Sequence, residues 1–268
     1  LLEMLSYPFL VRAFLVGVLV SLCAALLGTS LVLKRYSMIG DGLSHVGFGA
    51  LAIASALGVA PLAVAVPVVV VAAVLLLRVS QSGRVRGDAA IALISSGALA
   101  VGVLVISLTS GVNTNVSNYM FGSILTISGS DAVLSVILCA AVLVVFTLFY
   151  PRIFAVTFDE TFARATGTKA EGYNMLLAIL TAITVVLGMR MMGALLISSL
   201  IIFPALSAMR VFRSFRSVTV CSAVLSVVCF TLGMTLSYAL ETPSGASVVA
   251  VNIIAFALFA LAGRLLRR

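Results

Sequence analysis

The chain has 268 residues, 63% of them hydrophobic and 9% charged, with a mean hydropathy of +1.31. Soluble domains sit nearer roughly half apolar and a quarter charged. The composition therefore excludes a soluble enzyme, and it excludes disordered and nucleic-acid-binding classes even more firmly, because both need more polarity. The net charge of +8, from 16 basic and 8 acidic residues, reads as a topology signal, since basic residues concentrate on the cytoplasmic side of membrane proteins.

The opening Leu1-Leu2-Glu3 leads into an apolar segment too long for a signal-peptide core, so no cleaved leader is expected, and the missing Met reads as a trimmed start. Apolar runs then predict nine helical spans near 9–33, 40–58, 61–79, 89–109, 131–150, 173–189, 193–209, 217–239 and 247–263. The expectation is an all-α polytopic transmembrane bundle of about 8–9 spans, one domain over 1–268. With the N-terminus outside and the C-terminus inside, 14 of the 16 basic residues fall on the cytoplasmic side, leaving Arg12 and Arg190.

Several segments carry more detail. One continuous helix over 173–209 would run about 55 Å, so a break is expected at Gly188, Arg190 or Gly193, with a kink at Pro204. The run Tyr119-Met120-Phe121-Gly122-Ser123-Ile124-Leu125 is too short to span and reads as interfacial or re-entrant, beside a polar outer loop holding Asn113, Asn115 and Asn118. The cytosolic segment at about 151–172 contains Thr157-Phe158-Asp159-Glu160, a capping-box form, with Phe158, Phe162 and Ala165 on one face and Gly167 placed to end the helix. Such a helix either docks a cytosolic partner or lies on membrane lipid. In the outer turn Glu241-Thr242-Pro243-Ser244-Gly245-Ala246, Pro243 stands near the start of the last helix.

Chemistry concentrates in Gly40-Asp41-Gly42-Leu43-Ser44-His45. Asp41 and the chain's single histidine, His45, stand at i and i+4, one helical turn apart on one face. An ionised Asp within hydrocarbon costs on the order of 3 kcal/mol, so such a residue lines a pathway or takes a partner. An oxygen and an imidazole nitrogen together suit a divalent transition ion. Asp88, at the start of the 89–109 span, is a candidate third ligand. The alternatives are that Asp41 pairs with His45, Lys34 or Arg35, and that Asp88 caps its helix. The predicted topology puts Asp41 and His45 in the inner half of the membrane. Cys23, Cys139, Cys221 and Cys229 lie singly in apolar runs and read as buried hydrophobes, and Met189, Met191 and Met192 as gap-fillers. No GxxxxGK[ST] loop and no HExxH occur, so the chain neither hydrolyses ATP by the P-loop route nor matches the commonest zinc proteases.

These residues resemble the membrane permeases of zinc/manganese ABC importers, the ABC-3 family. The likeness rests on 40–46, on Asp88-Ala89-Ala90-Ile91, on 119–125, on Phe158-Asp159-Glu160 with Ala163, Ala165 and Gly167, on Gly193-Ala194-Leu195-Leu196 leading to Pro204, and on Pro243-Ser244-Gly245. It implies a cobalamin-permease-like fold in the bacterial inner membrane, a second permease copy, a cytosolic ATPase subunit docked on the 157–167 helix, and an extracytoplasmic solute-binding protein. It also implies Asp41, His45 and Asp88 as transient ligands of a transported Zn2+ or Mn2+, with no resident cofactor, and Gly40, Ser44, Pro204, Pro243 and Gly245 as pathway or structural positions. Manganese-type members tend to carry Pro-Gly shortly after Ser-His; Ser44-His45-Val46-Gly47 is closer to the zinc type. The rival classes are a stand-alone metal transporter or channel and a permease for larger chelates.

Overall fold

The computed structural model describes residues 8–81, 87–109 and 129–266. Within them the chain forms ten helices: α1 (Pro8–Leu33), α2 (Ile39–Ala56), α3 (Pro61–Gln81), α4 (Gly87–Leu108), α5 (Gly129–Phe158), α6 (Glu160–Ala165), α7 (Ala170–Met192), α8 (Ala194–Val211), α9 (Phe215–Leu240) and α10 (Ser244–Leu266). The nine long helices match the nine predicted segments, and eight of them, all but α2, are long and apolar enough to cross a membrane. The run 119–125, the Asn113 to Asn118 loop, Arg84 and Arg86 lie outside the described residues.

α2 is the hub. It packs against α3, α4, α7 and α8, and Ile39, Leu43, Phe48 and Leu51 are buried along it. Lipid tails are as apolar as leucine, so helices in a bilayer associate through close backbone approach more than through hydrophobic burial. Here that approach runs through glycine: a Cβ on Gly49 would stand 2.7 Å from the Ala98 carbonyl oxygen of α4, and one on Gly28 of α1 would stand 2.0 Å from the Ile201 carbonyl oxygen of α8.

Two expectations shift. By its sequence the fifth span ends near 150, before Pro151 and Arg152, yet α5 continues through Pro151 to Phe158. Its 30 residues run about 45 Å, longer than a hydrocarbon core of about 30 Å. Packing against α7 holds the extension: Phe149 meets Tyr173 at 5.8 Å between ring centroids, and Arg152 donates to the Tyr173 hydroxyl at 2.6 Å. The break between α7 and α8 falls at Gly193, whose φ of 89° suits glycine, and α7 runs unbroken through Gly188 and Arg190. Pro204 lies inside α8 and is buried.

Candidate functional site

Asp41 and His45 project from the first two turns of α2, with Asp41 Oδ2 3.7 Å from His45 Nε2. Both are partly open, His45 21% and Asp41 42% exposed, on a helix that is otherwise mostly buried. Two ligand atoms on one tetrahedral ion at usual bond lengths stand about 3.4 Å apart, so the pair needs to close by only a few tenths of an ångström to share one. The other carboxylate oxygen, Oδ1, accepts a hydrogen bond from Ser198 Oγ of α8 at 3.2 Å. Ser198 is a site residue that sequence reading missed: it is 157 positions away, and serine in an apolar helix carries no distinctive signal.

Of the alternative partners expected for Asp41, His45 is the one beside it, and Lys34 is engaged elsewhere. Lys34 Nζ lies 3.4 Å from Glu160 Oε2 and also donates to Asn174 Oδ1. Ser44 is buried and returns its hydroxyl to the Asp41 backbone carbonyl at 2.7 Å, so it stabilises its own turn. Gly40 gives room to Ile201 of α8. Asp88 is the second residue of α4, three before Ile91, which reaches Gly42 of α2; its side chain lies outside the described residues. Among the described residues no group of three or more His, Cys, Asp or Glu side chains forms a metal-holding cluster. Met189 is fully buried, its methyl 2.9 Å from where a Cβ on Gly47 would stand, as a gap-filler would be.

Asp41 lies in the first turn of α2, two residues past its start at Ile39, and one tight turn separates it from Lys34. The pair therefore sits toward the Lys34 end of the bundle, as the topology implies.

The second constellation is α6. The capping-box form places Thr157 as the cap, but α5 runs through it and leaves it buried. Asp159 caps instead: its carboxylate accepts from Phe162 N at 2.9 Å and from Thr161 Oγ1 at 2.5 Å. Those donors hold the Asp159 carboxyl below its ordinary range. Ala163 is buried against Val156 and Ala170 and fastens the helix down. Phe158 and Phe162 are 61% and 65% exposed, Ala165 is exposed with them, and Gly167 ends the unit at φ 84°. Glu160 faces the other way, bonded to Arg164 Nη2 at 2.6 Å, Asn174 Nδ2 at 3.1 Å and Lys34. Partial burial raises its pKa, but these three partners outweigh that and hold it below the usual carboxylate value. At the opposite end, Pro243 closes the α9–α10 turn: Ser237 Oγ donates to the Thr242 carbonyl at 2.6 Å and Ser247 Oγ to the Pro243 carbonyl at 3.1 Å, with Gly245 buried behind them.

A bundle with eight helices long and apolar enough to cross a membrane, packed around a buried hub helix, defines a multi-pass membrane protein. The chain belongs to the ABC-3 family, matching the ABC 3 transport family over residues 6–263. PsaBC from Streptococcus pneumoniae in complex with Fab has the same fold, with a TM-score of 0.85 and 26% identity over 96% of this chain and 94% of that one. The manganese transport system membrane protein MntC of Halalkalibacterium halodurans is 28% identical, covering 97% of this chain and 88% of its own. The high-affinity zinc uptake system membrane protein ZnuB of Haemophilus influenzae is 29% identical, covering 94% and 97%. The chain is accordingly a metal permease of an ABC importer.

Proposed function

We propose that the chain carries a divalent transition-metal ion, zinc first, from an extracytoplasmic binding protein into the cytoplasm, as one of two permease copies driven by a cytosolic ATPase on α6. The observation that carries this reading is the Asp41–His45 pair, partly open on a helix otherwise walled in by its neighbours. An ion entering there exchanges part of its hydration shell for one carboxylate oxygen and one imidazole nitrogen. Two protein ligands bind weakly enough to release, as a conduction site must; water, Asp88 or groups from the second copy complete the shell.

Zinc is favoured by the pairing of an imidazole nitrogen with a carboxylate oxygen, and by the absence of Pro-Gly after Ser44-His45. Manganese and iron are the alternatives. The cytoplasmic face is the Lys34 end, where α6 projects and where Arg152, Arg164, Lys169 and Arg210 lie; the bacterial inner membrane is the corresponding location. ATP binding to the partner would move α6, open the pathway outward to receive the ion, and hydrolysis would return it inward.

The test is uptake of zinc and of manganese into vesicles holding the permease, its ATPase and its binding protein. Asp41→Ala and His45→Ala are expected to abolish ATP-driven uptake while the ATPase stays bound. Unchanged uptake in both variants would remove the site.

A further inference from the structure

Resting on the proposed ATP-driven import, we infer that Lys34 is the positioning residue through which displacement of α6 reaches the Asp41–His45 site. Its ammonium, 9% exposed, sits between two other elements: Glu160 Oε2 of α6 at 3.4 Å and Asn174 Oδ1 of α7, whose amide in turn donates to Glu160 at 3.1 Å. Asn174 is itself buried. The cluster ties α6, α7 and the end of α1 into one polar node, and Glu160 takes part in it rather than in the exposed docking surface.

The turn from Lys34 into α2 transmits movement because it is stiff. The connection 34–38 has no slack backbone: Lys34 N donates to Ser30 O, Arg35 N to Val32 O, Tyr36 N to Leu31 O and Ile39 N to Tyr36 O. Arg35 holds φ 61°, a left-handed conformation that fixes the reversal into α2. Asp41 lies seven residues beyond Lys34, and its Oδ1 is held by Ser198 of another helix, α8. A shift of the node therefore displaces the first turns of α2 against α8, making or breaking the Ser198–Asp41 hydrogen bond. That bond helps set whether the other carboxylate oxygen, Oδ2, faces His45.

The experiment measures ATP hydrolysis and zinc uptake in the same proteoliposomes containing the full transporter. Lys34→Met is expected to bind the ATPase and to hydrolyse ATP within twofold of wild type, while ions moved per ATP fall at least tenfold. Lys34→Arg, which keeps the charge and the donors, recovers most of the ratio. Glu160→Gln, which keeps the Asn174 hydrogen bond in a protein of nearly unchanged shape, lowers the ratio too, and combining it with Lys34→Met lowers it no further. An unchanged ratio in Lys34→Met or Glu160→Gln overturns the inference and leaves the proposed function standing. Additive losses in the double variant, or failure of arginine to rescue, also overturn it. Wild-type vesicles without ATP-driven uptake overturn both.

Discussion

Ser198 and Asp41 come from helices far apart in sequence, yet the Ser198 hydroxyl holds Asp41 Oδ1 at 3.2 Å while the second oxygen turns toward His45 at 3.7 Å. The Ser198 hydroxyl has one proton, shared between Asp41 Oδ1 and the Ala194 carbonyl at 3.1 Å, so the carboxylate lies between this donor and His45. The contact biases the Asp41 rotamer, a form of preorganisation for the proposed site.

Removing that donor is expected to leave the fold intact and to weaken ion binding. Ser198→Ala in detergent-solubilised permease should raise the zinc dissociation constant about three- to tenfold, in line with loss of one positioning hydrogen bond worth about 1 kcal/mol. Isothermal titration calorimetry reads the change, with Ser199→Ala as control, since Ser199 is buried and bonds its own helix at Leu196 O.

The glycines separate tolerance from damage by what their missing Cβ would strike. At Gly42 the obstacle is the Cγ2 methyl of Ile91, at 2.6 Å, a side-chain group on a branched β-carbon that clears only by a change of χ1 or a small shift of α4. At Gly28 it is the Ile201 carbonyl at 2.0 Å, which cannot rotate away. Gly42→Ala should lower the melting temperature less than Gly28→Ala, which should cost about 1–3 kcal/mol as α1 and α8 part. Equal melting temperatures would contradict the α1–α8 approach.

Phe162 is exposed and Phe158 is too, but their surroundings differ. Phe158 stacks on Phe154 at 5.2 Å and meets Phe215 edge-on at 6.5 Å. Phe162→Ala should therefore reduce binding of the ATPase partner at least tenfold without changing the permease's melting temperature. Phe158→Ala should lower both. Pull-down of the ATPase alongside a melting curve distinguishes the two residues.

The cap of α6 responds to acid in a defined direction. Asp159 is held below its ordinary carboxylate value by Phe162 N and the Thr161 hydroxyl, so its contribution is complete above the unfolded value of about 4 and is lost as pH falls through the lowered one. Glu160, lowered through Asn174, Arg164 and Lys34 despite its burial, follows the same sign. Docking of the ATPase should be flat with pH from about 5 upward and should weaken only in stronger acid. Asp159→Asn, which keeps an acceptor, should remove the acid sensitivity of the cap, and Asp159→Ala should weaken docking at every pH.

The long helices were legible because bilayer-length apolar runs are a strong signal, and the Asp41–His45 juxtaposition because i, i+4 spacing is geometry enough. The end of α5 was not: Pro151 and Arg152 are stop signals locally, and only packing on Tyr173 carries the helix past them. Thr157 and Asp159 are both sound caps by type, so the choice rested on where α5 ended. Lys34 had two acids within plausible reach. Its engagement with Glu160 depends on α6 folding back onto α7, a relationship between segments 126 residues apart that no local pattern encodes.

α2 is poorly suited to enter a membrane alone. It is absent from the eight helices apolar enough to span by themselves, and it carries a carboxylate, Asp41, in its first turn. Its neighbours α3, α4, α7 and α8 all follow it in the chain. The segment that bears Asp41 and His45 must therefore wait beside the translocon, or enter as a hairpin with α1, until more than a hundred further residues have been made. The site is among the last parts of the protein to exist, and a truncated nascent chain would expose α2 to membrane quality control.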